Sequence, residues 1–451
     1  MKKTSSSNFT FLVSKFIYSL VIFFTLPIIF IIFLYKRKLN RSTLSEISIK
    51  FCGKFQNIKK YQFYRSSKVR IWIHAVSVGE THAAIPLIRE LLLSTKDSKI
   101  LLSNTTLSSF KFFNSVLREE NFFENRVFHC FSPFDLNWAV KNFLNFVKPH
   151  VAIFIETEIW PNFVNQLKNR NVKIILANGR MSQKSSIKFE KFSWLSNPIL
   201  NMFSLLLVQT SKDAFSFKKI SSKAMPIITG NLKFDAIVSP LLVNMGYEWK
   251  RKISQKNIWL ALSTREDEEE KIFEAWSKNR PDNSLLIVVP RHSERFEKVF
   301  FDAQKVGLAV HRRSDFFKSE ENQNKELYPD VIVGNSMGEA PAYAYVADIS
   351  LIGGSLLDCG GQSPIELCAQ GCPVFFGPYM SNFSVISKEL MTAKAGFQIT
   401  TYDEWILRGK ELIMDSKKIN DSKNAAIKFV EMHKGASVNS VNEILKLNFL
   451  K

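Results

Sequence analysis

The chain has 451 residues, of which 46% are hydrophobic, so it has enough apolar material for more than one packed core and is not a disordered protein. Its five cysteines are an odd number without regular spacing, which excludes a disulfide framework. Lys and Arg outnumber Asp and Glu by 61 to 41, and this net charge of +20 favours anionic lipids or phosphorylated substrates as partners. No compact basic motif interleaved with aromatic residues occurs, so nucleic acid is the least expected acidic partner.

The N-terminal segment, residues 1–40, predicts a membrane anchor with a basic flank. Residues Phe16–Tyr35 are uncharged and nearly all apolar, and twenty helical residues extend about 30 Å, the thickness of a bilayer core. The segment is followed by Lys36, Arg37, Lys38 and Arg41 rather than by a small-residue cleavage site. We therefore expect a single uncleaved anchor with the remaining chain on the cytoplasmic side. A helix lying flat in the membrane interface is the alternative.

Beyond the anchor, short apolar runs alternate with longer amphipathic stretches, which predicts α/β domains with parallel sheets covered by helices. The predicted strands are Val69–Ala75, Lys99–Leu102, Val151–Ile155, Val172–Ala177, Ser204–Gln209, Ile258–Leu262, Ser284–Val289, Val331–Val333 and Ile349–Ile352. The pattern is interrupted between Asp235 and Ile258. We therefore expect two doubly wound, Rossmann-like domains that face one another, one over residues 41–236 and one over 237–451, with ligands at the carboxyl ends of the strands.

Polar residues follow several of these predicted strands. Glu80 ends the motif HAVSVGE, where it is expected either as a general base or as an acidic residue favoured by the start of a helix. Glu156 and Glu158 come directly after an apolar strand, beside Trp160. Lys233, in the motif GNLKFD, has a cationic side chain suited to an anionic substrate.

Two further motifs suit a phosphate or carboxylate ligand. Arg291 and His292 follow a strand in the motif PRHSERF. A glycine-rich loop at residues 353–361 leads to a helix that we expect to begin near Ser363, with that residue as N-cap and Glu366 completing a capping box. A well-capped helix that binds nothing is the alternative interpretation.

Several patterns are missing from the sequence. It contains no phosphate-binding P-loop and no GxGxxG after a strand, so neither ATP hydrolysis nor a dinucleotide cofactor is expected. It also lacks an Asp-x-Asp pair, which argues against a nucleotide diphosphate held through a divalent metal. We expect no cofactor and no metal site.

Seven motifs taken together resemble the bacterial 3-deoxy-D-manno-octulosonic acid (Kdo) transferases, over roughly residues 72–383. They are HAVSVGE, ETEIWPN, GNLKFD, STRE, PRHSERF, MGE before a Tyr-rich helix, and the GGxxPxE loop. The resemblance implies a GT-B-type glycosyltransferase that moves Kdo from CMP-Kdo to a lipid A precursor (lipid IVA) in lipopolysaccharide inner-core synthesis at the bacterial inner membrane. It also implies an acceptor-binding first domain, a CMP-sugar-binding second domain, and an inverting, metal-independent reaction.

The resemblance assigns roles to individual residues. Glu80 matches the family's proton acceptor, Glu156 matches its transition-state-stabilising carboxylate ahead of Glu158, and Lys233 matches its stabilising lysine. The positions that match the family's CMP contacts are Arg291, His292, Met337, Gly338, Glu339, Ser363, Pro364, Ile365 and Glu366.

The sequence departs from the family pattern in the last loop, which usually reads close to GGHNPLEP. Here Gln362, Ser363 and Leu367 replace the His, the Asn and the second Pro. Ser363 can still cap the helix and contact a phosphate, so we expect binding of the donor to be retained and its affinity to be the property that these changes affect. The alternatives are a transferase of the same fold with another nucleotide-sugar donor, and a non-catalytic membrane-anchored binding protein.

Overall fold

The computed structural model describes residues 2–35, 41–55, 58–119, 121–253, 257–318 and 329–447. The chain divides into two compact units. Unit 1 comprises Met1–Ala236 together with Lys434–Lys451, and unit 2 comprises Ile237–His433. The C-terminal segment from Lys434 onward, expected in the second domain, therefore belongs to the first.

The described part of unit 1 contains a parallel sheet of seven strands in the order β3-β2-β1-β4-β5-β6-β7. The strands are β1 (Val69–His74), β2 (Ser98–Asn104), β3 (Val127–Phe131), β4 (Val151–Ile155), β5 (Lys173–Gly179), β6 (Leu205–Val208) and β7 (Pro226–Ile228). Every residue of β4 is buried, as expected of a parallel strand covered by helices on both faces. The chain leaves β1 toward one side of the sheet and later returns as β4 on its other side, so the gap between these two strands is the topological switch point.

Helices cover both faces of this sheet. The first ten are α1 (Lys2–Tyr35), α2 (Arg41–Cys52), α3 (Gln62–Arg65), α4 (Val78–Ser94), α5 (Leu107–Glu119), α6 (Asn137–Val147), α7 (Pro161–Lys168), α8 (Gln183–Lys191), α9 (Ser193–Leu200) and α10 (Ser211–Ile220). One apolar core surrounds the buried Trp72, and the other lies between the opposite face of the sheet and α4.

The described part of unit 2 repeats this architecture, with strand order β10-β11-β9-β8-β12-β13-β14. Its strands are β8 (Asn257–Thr264), β9 (Ser284–Pro290), β10 (Val310–Arg312), β11 (Val331–Val333), β12 (Ile349–Ile352), β13 (Val374–Phe376) and β14 (Gly396–Gln398). Its helices are α11 (Pro240–Lys252), α12 (Glu269–Asn279), α13 (Phe296–Lys305), α14 (Arg313–Lys318), α15 (Ala340–Val346), α16 (Ile365–Ala369), α17 (Ser384–Thr392), α18 (Tyr402–Met414) and α19 (Ser416–Met432). The switch point of this sheet lies between β8 and β12.

The last helix, α20 (Ala436–Leu445), packs on unit 1. Its buried residues Val441 and Ile444 join the same apolar core as α4. Asp235 adds polar contacts, because its carboxylate accepts hydrogen bonds from the backbone N–H groups of Gly435 and Ser437 at 2.7 and 2.6 Å. Apolar burial and these bonds explain why the chain returns to its first unit.

The N-terminal helix α1 lies against unit 1. The Tyr18 hydroxyl donates a 3.0 Å hydrogen bond to Asp135, and the ring of Phe23 packs edge-on against Trp138 at 6.2 Å between centroids. No helix within the described ranges is both long enough and apolar enough to cross a bilayer, so the expectation of a spanning anchor is not met. The basic flank at residues 36–40 lies outside the described residues.

Candidate active site

Glu80 lies in the first turn of α4, directly beyond the carboxyl end of β1. Ser77 caps this helix and forms a reciprocal capping box, in which the Glu80 carboxylate accepts the backbone N–H of Ser77 at 3.2 Å. The N–H of Val76 donates to the same oxygen. These bonds hold the carboxylate in one orientation, so Glu80 stabilises the start of the helix whatever else it does.

Glu156 follows β4, the neighbour of β1 in the sheet. Its backbone has φ of +61°, in the left-handed region. Residues other than Gly adopt this region rarely, and usually where the surrounding structure holds them in it. Its carboxylate accepts a 2.7 Å hydrogen bond from the ammonium of Lys233. Burial acts to raise the pKa of Glu156, but the positive charges of Lys233 and Arg180 outweigh it and hold that pKa below its ordinary value. Glu156 is therefore a charged, paired carboxylate.

Lys233 is held by a short 3₁₀ turn, Leu232–Asp235, that follows β7. The side-chain oxygen of Asn231 accepts the N–H of Lys233 at 3.1 Å, and the side-chain oxygen of Asn178 accepts the N–H of Leu232 at 3.0 Å. A Cβ atom placed on Gly79 would lie 4.0 Å from the Lys233 ammonium, so this cation also reaches the first turn of α4, which carries Glu80. The turn therefore brings Lys233 to the ends of β1 and β4.

The electrostatics of the cluster separate its carboxylates. Burial first, and repulsion from Glu156 second, raise the pKa of Glu80, while its bonds to backbone N–H groups oppose the rise. Burial and repulsion from Glu80 raise the pKa of Glu158 to about 7, although a 2.6 Å hydrogen bond from the Trp160 indole N–H acts against them. One carboxylate is thus kept ionised by a cation while two neighbours bind protons more readily, an arrangement that suits acid–base chemistry.

The sequence-predicted residues of unit 2 also lie at carboxyl ends of strands. Arg291 follows β9, and its N–H bonds to the carbonyl of Thr264 on the adjacent strand β8 at 3.0 Å. Desolvation first and repulsion from Arg265 second lower the pKa of Arg291, although the residue keeps solvent-exposed surface, and attraction from Glu366 opposes both. His292 is exposed beside it. Guanidinium and imidazole groups in this position can bind an anion.

The MGE residues occupy the loop between β11 and α15. Met337 is exposed, and Gly338 has φ of +85° with open space where a Cβ would stand. The Glu339 carboxylate already accepts hydrogen bonds from the Arg313 guanidinium and the Ser336 hydroxyl. In this structure Glu339 therefore organises its own loop.

The glycine-rich loop differs from expectation at its helix. Helix α16 begins at Ile365 with Pro364 as its N-cap, and no side chain caps it, so the predicted capping box of Ser363 and Glu366 is wrong. A capping box requires the Ser363 hydroxyl to accept the N–H of Glu366 and the Glu366 carboxylate to accept the N–H of Ser363, and neither bond forms. The Ser363 hydroxyl instead accepts the Ile365 N–H, at 3.4 Å.

Two basic residues near these clusters carried no role in the sequence analysis. Arg180 follows β5 and acts electrostatically on Glu156. Arg265 follows β8 and acts on Arg291. Both stand just after a predicted strand, and the rule that drew attention to Glu156 and Arg291 would have found them as well.

The chain is similar to known Kdo transferases. The protein family described as 3-deoxy-D-manno-octulosonic-acid transferase (kdotransferase) matches residues 53–236. The 3-deoxy-D-manno-octulosonic acid transferase of Haemophilus influenzae is 30% identical over 402 residues, which cover 86% of this chain and 90% of that protein. The enzyme of the same name from Bordetella pertussis is 29% identical over 382 residues, covering 81% and 85%.

A solved structure supports the architecture. The UDP-GlcNAc 2-epimerase from Neisseria meningitidis, bound to UDP-GlcNAc, matches with a TM-score of 0.58 at 12% identity. The match covers 84% of this chain and 100% of that one. At this identity the likeness concerns the fold alone, which is the GT-B type with two parallel-sheet α/β domains.

Proposed function

We infer the roles of the two units from one premise: this chain belongs to the family of 3-deoxy-D-manno-octulosonic acid (Kdo) transferases. It is accordingly a glycosyltransferase that transfers Kdo in lipopolysaccharide biosynthesis. We propose that unit 2 binds CMP-Kdo as donor, and that unit 1 binds a lipid A precursor, lipid IVA, as acceptor.

The cluster of Glu80, Glu156 and Lys233 carries the proposal for unit 1. Glu80 removes the proton from the acceptor hydroxyl as that oxygen attacks the anomeric carbon of Kdo, and its raised pKa makes it a stronger base than an exposed glutamate. Lys233 keeps Glu156 ionised at 2.7 Å, so a fixed pair of opposite charges stands beside the reacting atoms. Attack from the side opposite the leaving group inverts the anomeric centre.

The cations of unit 2 support the proposal for the donor. Bond cleavage leaves negative charge on the phosphate of CMP, and Arg291 with His292 provides donors for it at the end of β9. These side chains can supply the charge stabilisation that a metal provides in other transferases, so we propose a metal-independent reaction. Backbone groups of the loop containing Met337 and Gly338, and of Ser363–Glu366, remain the proposed contacts to CMP.

Helix α1 supports a location at the cytoplasmic face of the inner membrane. Its outward side chains include Phe16, Phe24 and Ile31, which are large, apolar and more than half exposed. A helix that rests on the protein with such a face outward suits insertion into the headgroup region of a bilayer, where a lipid acceptor is found.

The proposal is tested by product mass. Membranes containing the chain are incubated with a CMP-Kdo-generating system and a tetra-acylated lipid A precursor, and we expect a gain of one or more Kdo units. Glu80→Gln keeps an oxygen that can accept the two backbone N–H groups but removes the base, so we expect the rate to fall roughly 10²- to 10⁴-fold with the fold unchanged. The matched control is Glu90→Gln, near the other end of α4, which should retain the wild-type rate.

Two results would contradict the proposal. A Glu80→Gln variant with the wild-type rate would exclude the role of Glu80 as base. Absence of product with the donor present, together with binding of UDP but not of CMP, would replace the proposed donor with another nucleotide sugar.

A further inference from the structure

Arg265 stands at the switch point of the sheet of unit 2. It follows the last residue of β8, the strand between β9 and β12. The pairing of β8 with β9 shifts register between Leu262 and Thr264, and Ser263 has φ of +59°, so the end of β8 is bent where Arg265 leaves the sheet. Ligands of doubly wound sheets bind in the crevice at this position.

The base of Arg265 is fixed by a buried carboxylate. Glu268, which is fully buried, accepts the N–H of Arg265 at 2.8 Å and the N–H of Gly354 at 2.7 Å through the same oxygen. Together these two hydrogen bonds join the loop after β8 to the loop after β12. Gly354 has φ of +67°, and a Cβ there would lie 3.3 Å from Cγ of Arg265, so the missing side chain leaves room for the arginine.

The guanidinium of Arg265 is directed toward other basic groups. Its Nη1 lies 3.1 Å from Nε2 of His292, and its Nε is buried without a hydrogen-bond partner. It interacts with Arg291 closely enough to affect that residue's titration. Within the described part of the chain, neither Arg265 nor Arg291 forms an ion pair with a carboxylate, although the charge of Glu366 acts on Arg291. Two like charges held together without a paired acid are stabilised when an anion binds them both.

We propose that Arg265, together with Arg291, binds the phosphate of the donor nucleotide, so that the two guanidinium groups hold one phosphate at the ends of β8 and β9. This inference rests on the proposed function, because it assigns the phosphate of CMP to the pair. Glu268 is a positioning residue here: its carboxylate is occupied by backbone N–H groups and does not neutralise the arginine. As the bond between CMP and Kdo breaks, charge grows on the same phosphate, and the pair stabilises the leaving group.

The test compares binding of CMP with binding of cytidine, which lacks the phosphate. For Arg265→Gln we expect the dissociation constant of CMP to rise roughly 10- to 100-fold while that of cytidine changes by less than about twofold. Arg265→Lys should recover part of the loss, because it restores the charge but not the fork of donors. The control is Arg280→Gln at the amino ends of the strands, where the arginine pairs with Asp330; it should leave both constants unchanged.

Each outcome decides the question. If CMP and cytidine lose affinity by the same factor in Arg265→Gln, or if neither does, Arg265 does not bind the phosphate. If the wild-type chain binds no CMP, the proposed donor is wrong. The role of Arg265 is then tested separately, by comparing a nucleoside monophosphate that does bind the chain with the nucleoside of the same base. At saturating donor we also expect the turnover number of Arg265→Gln to fall, whereas an effect on ground-state binding alone would leave it unchanged.

Discussion

Replacement of Lys233 by methionine tests how far one cation determines the state of the site in unit 1. Methionine keeps most of the volume and the unbranched shape of lysine but removes the ammonium that lies 2.7 Å from Glu156. Glu156 would then be a carboxylate without its closest cation, with only Arg180 acting to keep it charged.

The structure sets the size of the expected effect. The side chains of Lys233 and Glu156 are 21% and 13% exposed, so solvent screens this pair only weakly. Loss of one partner from a buried pair costs about 3–5 kcal/mol, and the residual exposure reduces this to about 2–4 kcal/mol of the free energy of unfolding at about pH 8. The cost arises mainly from a buried charge that has lost its partner.

The effect should depend on pH. In the wild type the pKa of Glu156 lies below its ordinary value. The pair therefore stabilises the fold at any pH above that ordinary value, and the stabilisation is lost as the pH falls through the lowered pKa. In Lys233→Met burial raises the pKa of Glu156, and the protonated carboxyl needs no cation. Urea denaturation should therefore show a larger difference between wild type and variant at about pH 8 than at about pH 5.

Lys219→Met is the matched control, because Lys219 pairs with Glu190 at a similar distance, 2.9 Å, but with side chains 56% and 29% exposed. We expect little change from it at either pH. The reasoning is refuted if Lys233→Met destabilises no more than Lys219→Met, or if its effect is the same at both pH values.

Two further predictions concern the same unit. Because the pKa of Glu158 is raised to about 7, the wild type should lose stability as the pH rises from about 4.5 to about 7, and Glu158→Gln should flatten this loss in denaturation experiments at several pH values. An unchanged pH profile would show that Glu158 titrates normally. Asp235→Ala removes the acceptor for the N–H groups at the start of α20, so hydrogen exchange in α20 and in residues 230–236 should increase while CMP binding by unit 2 is retained. Protection of α20 equal to that of the wild type would contradict it.

Apolar runs in the sequence predicted nine of the fourteen described strands, and three of the nine have the bounds that the structure shows. Val151–Ile155, Val331–Val333 and Ile349–Ile352 have the predicted bounds. Strands β3, β7, β10, β13 and β14 were not predicted; they are three to five residues long, and periodicity over so few residues is not distinctive. The return of α20 to unit 1 depends on contacts between distant residues, such as Asp235 with Ser437, which no local pattern shows.

The sequence predicted the placement of those candidate site residues that stand directly after a strand or within a turn. Glu80, Glu156 and Lys233 were each placed at a strand or turn end, but their convergence follows from the order of strands, which brings β1 beside β4. The ion pair of Glu156 with Lys233 joins residues that are 77 positions apart in the chain, so no local sequence pattern predicts it. The capping box expected at Ser363 is wrong because the Ser363 hydroxyl accepts the N–H of Ile365 and not that of Glu366, a choice between neighbouring donors that the sequence pattern does not show.

The division of unit 1 into two segments of the chain has a consequence for biosynthesis. The turn that carries Lys233 is translated before any of unit 2, whereas α20, whose backbone holds Asp235 in the same turn, follows the last residue of unit 2. All seven strands of the first sheet and the whole second unit are therefore synthesised before α20, the helix that supports the turn of Lys233. The cluster around Lys233 therefore reaches its final geometry at the end of translation, and a chain that ended after α19 would have its second unit complete and its lysine turn unsupported.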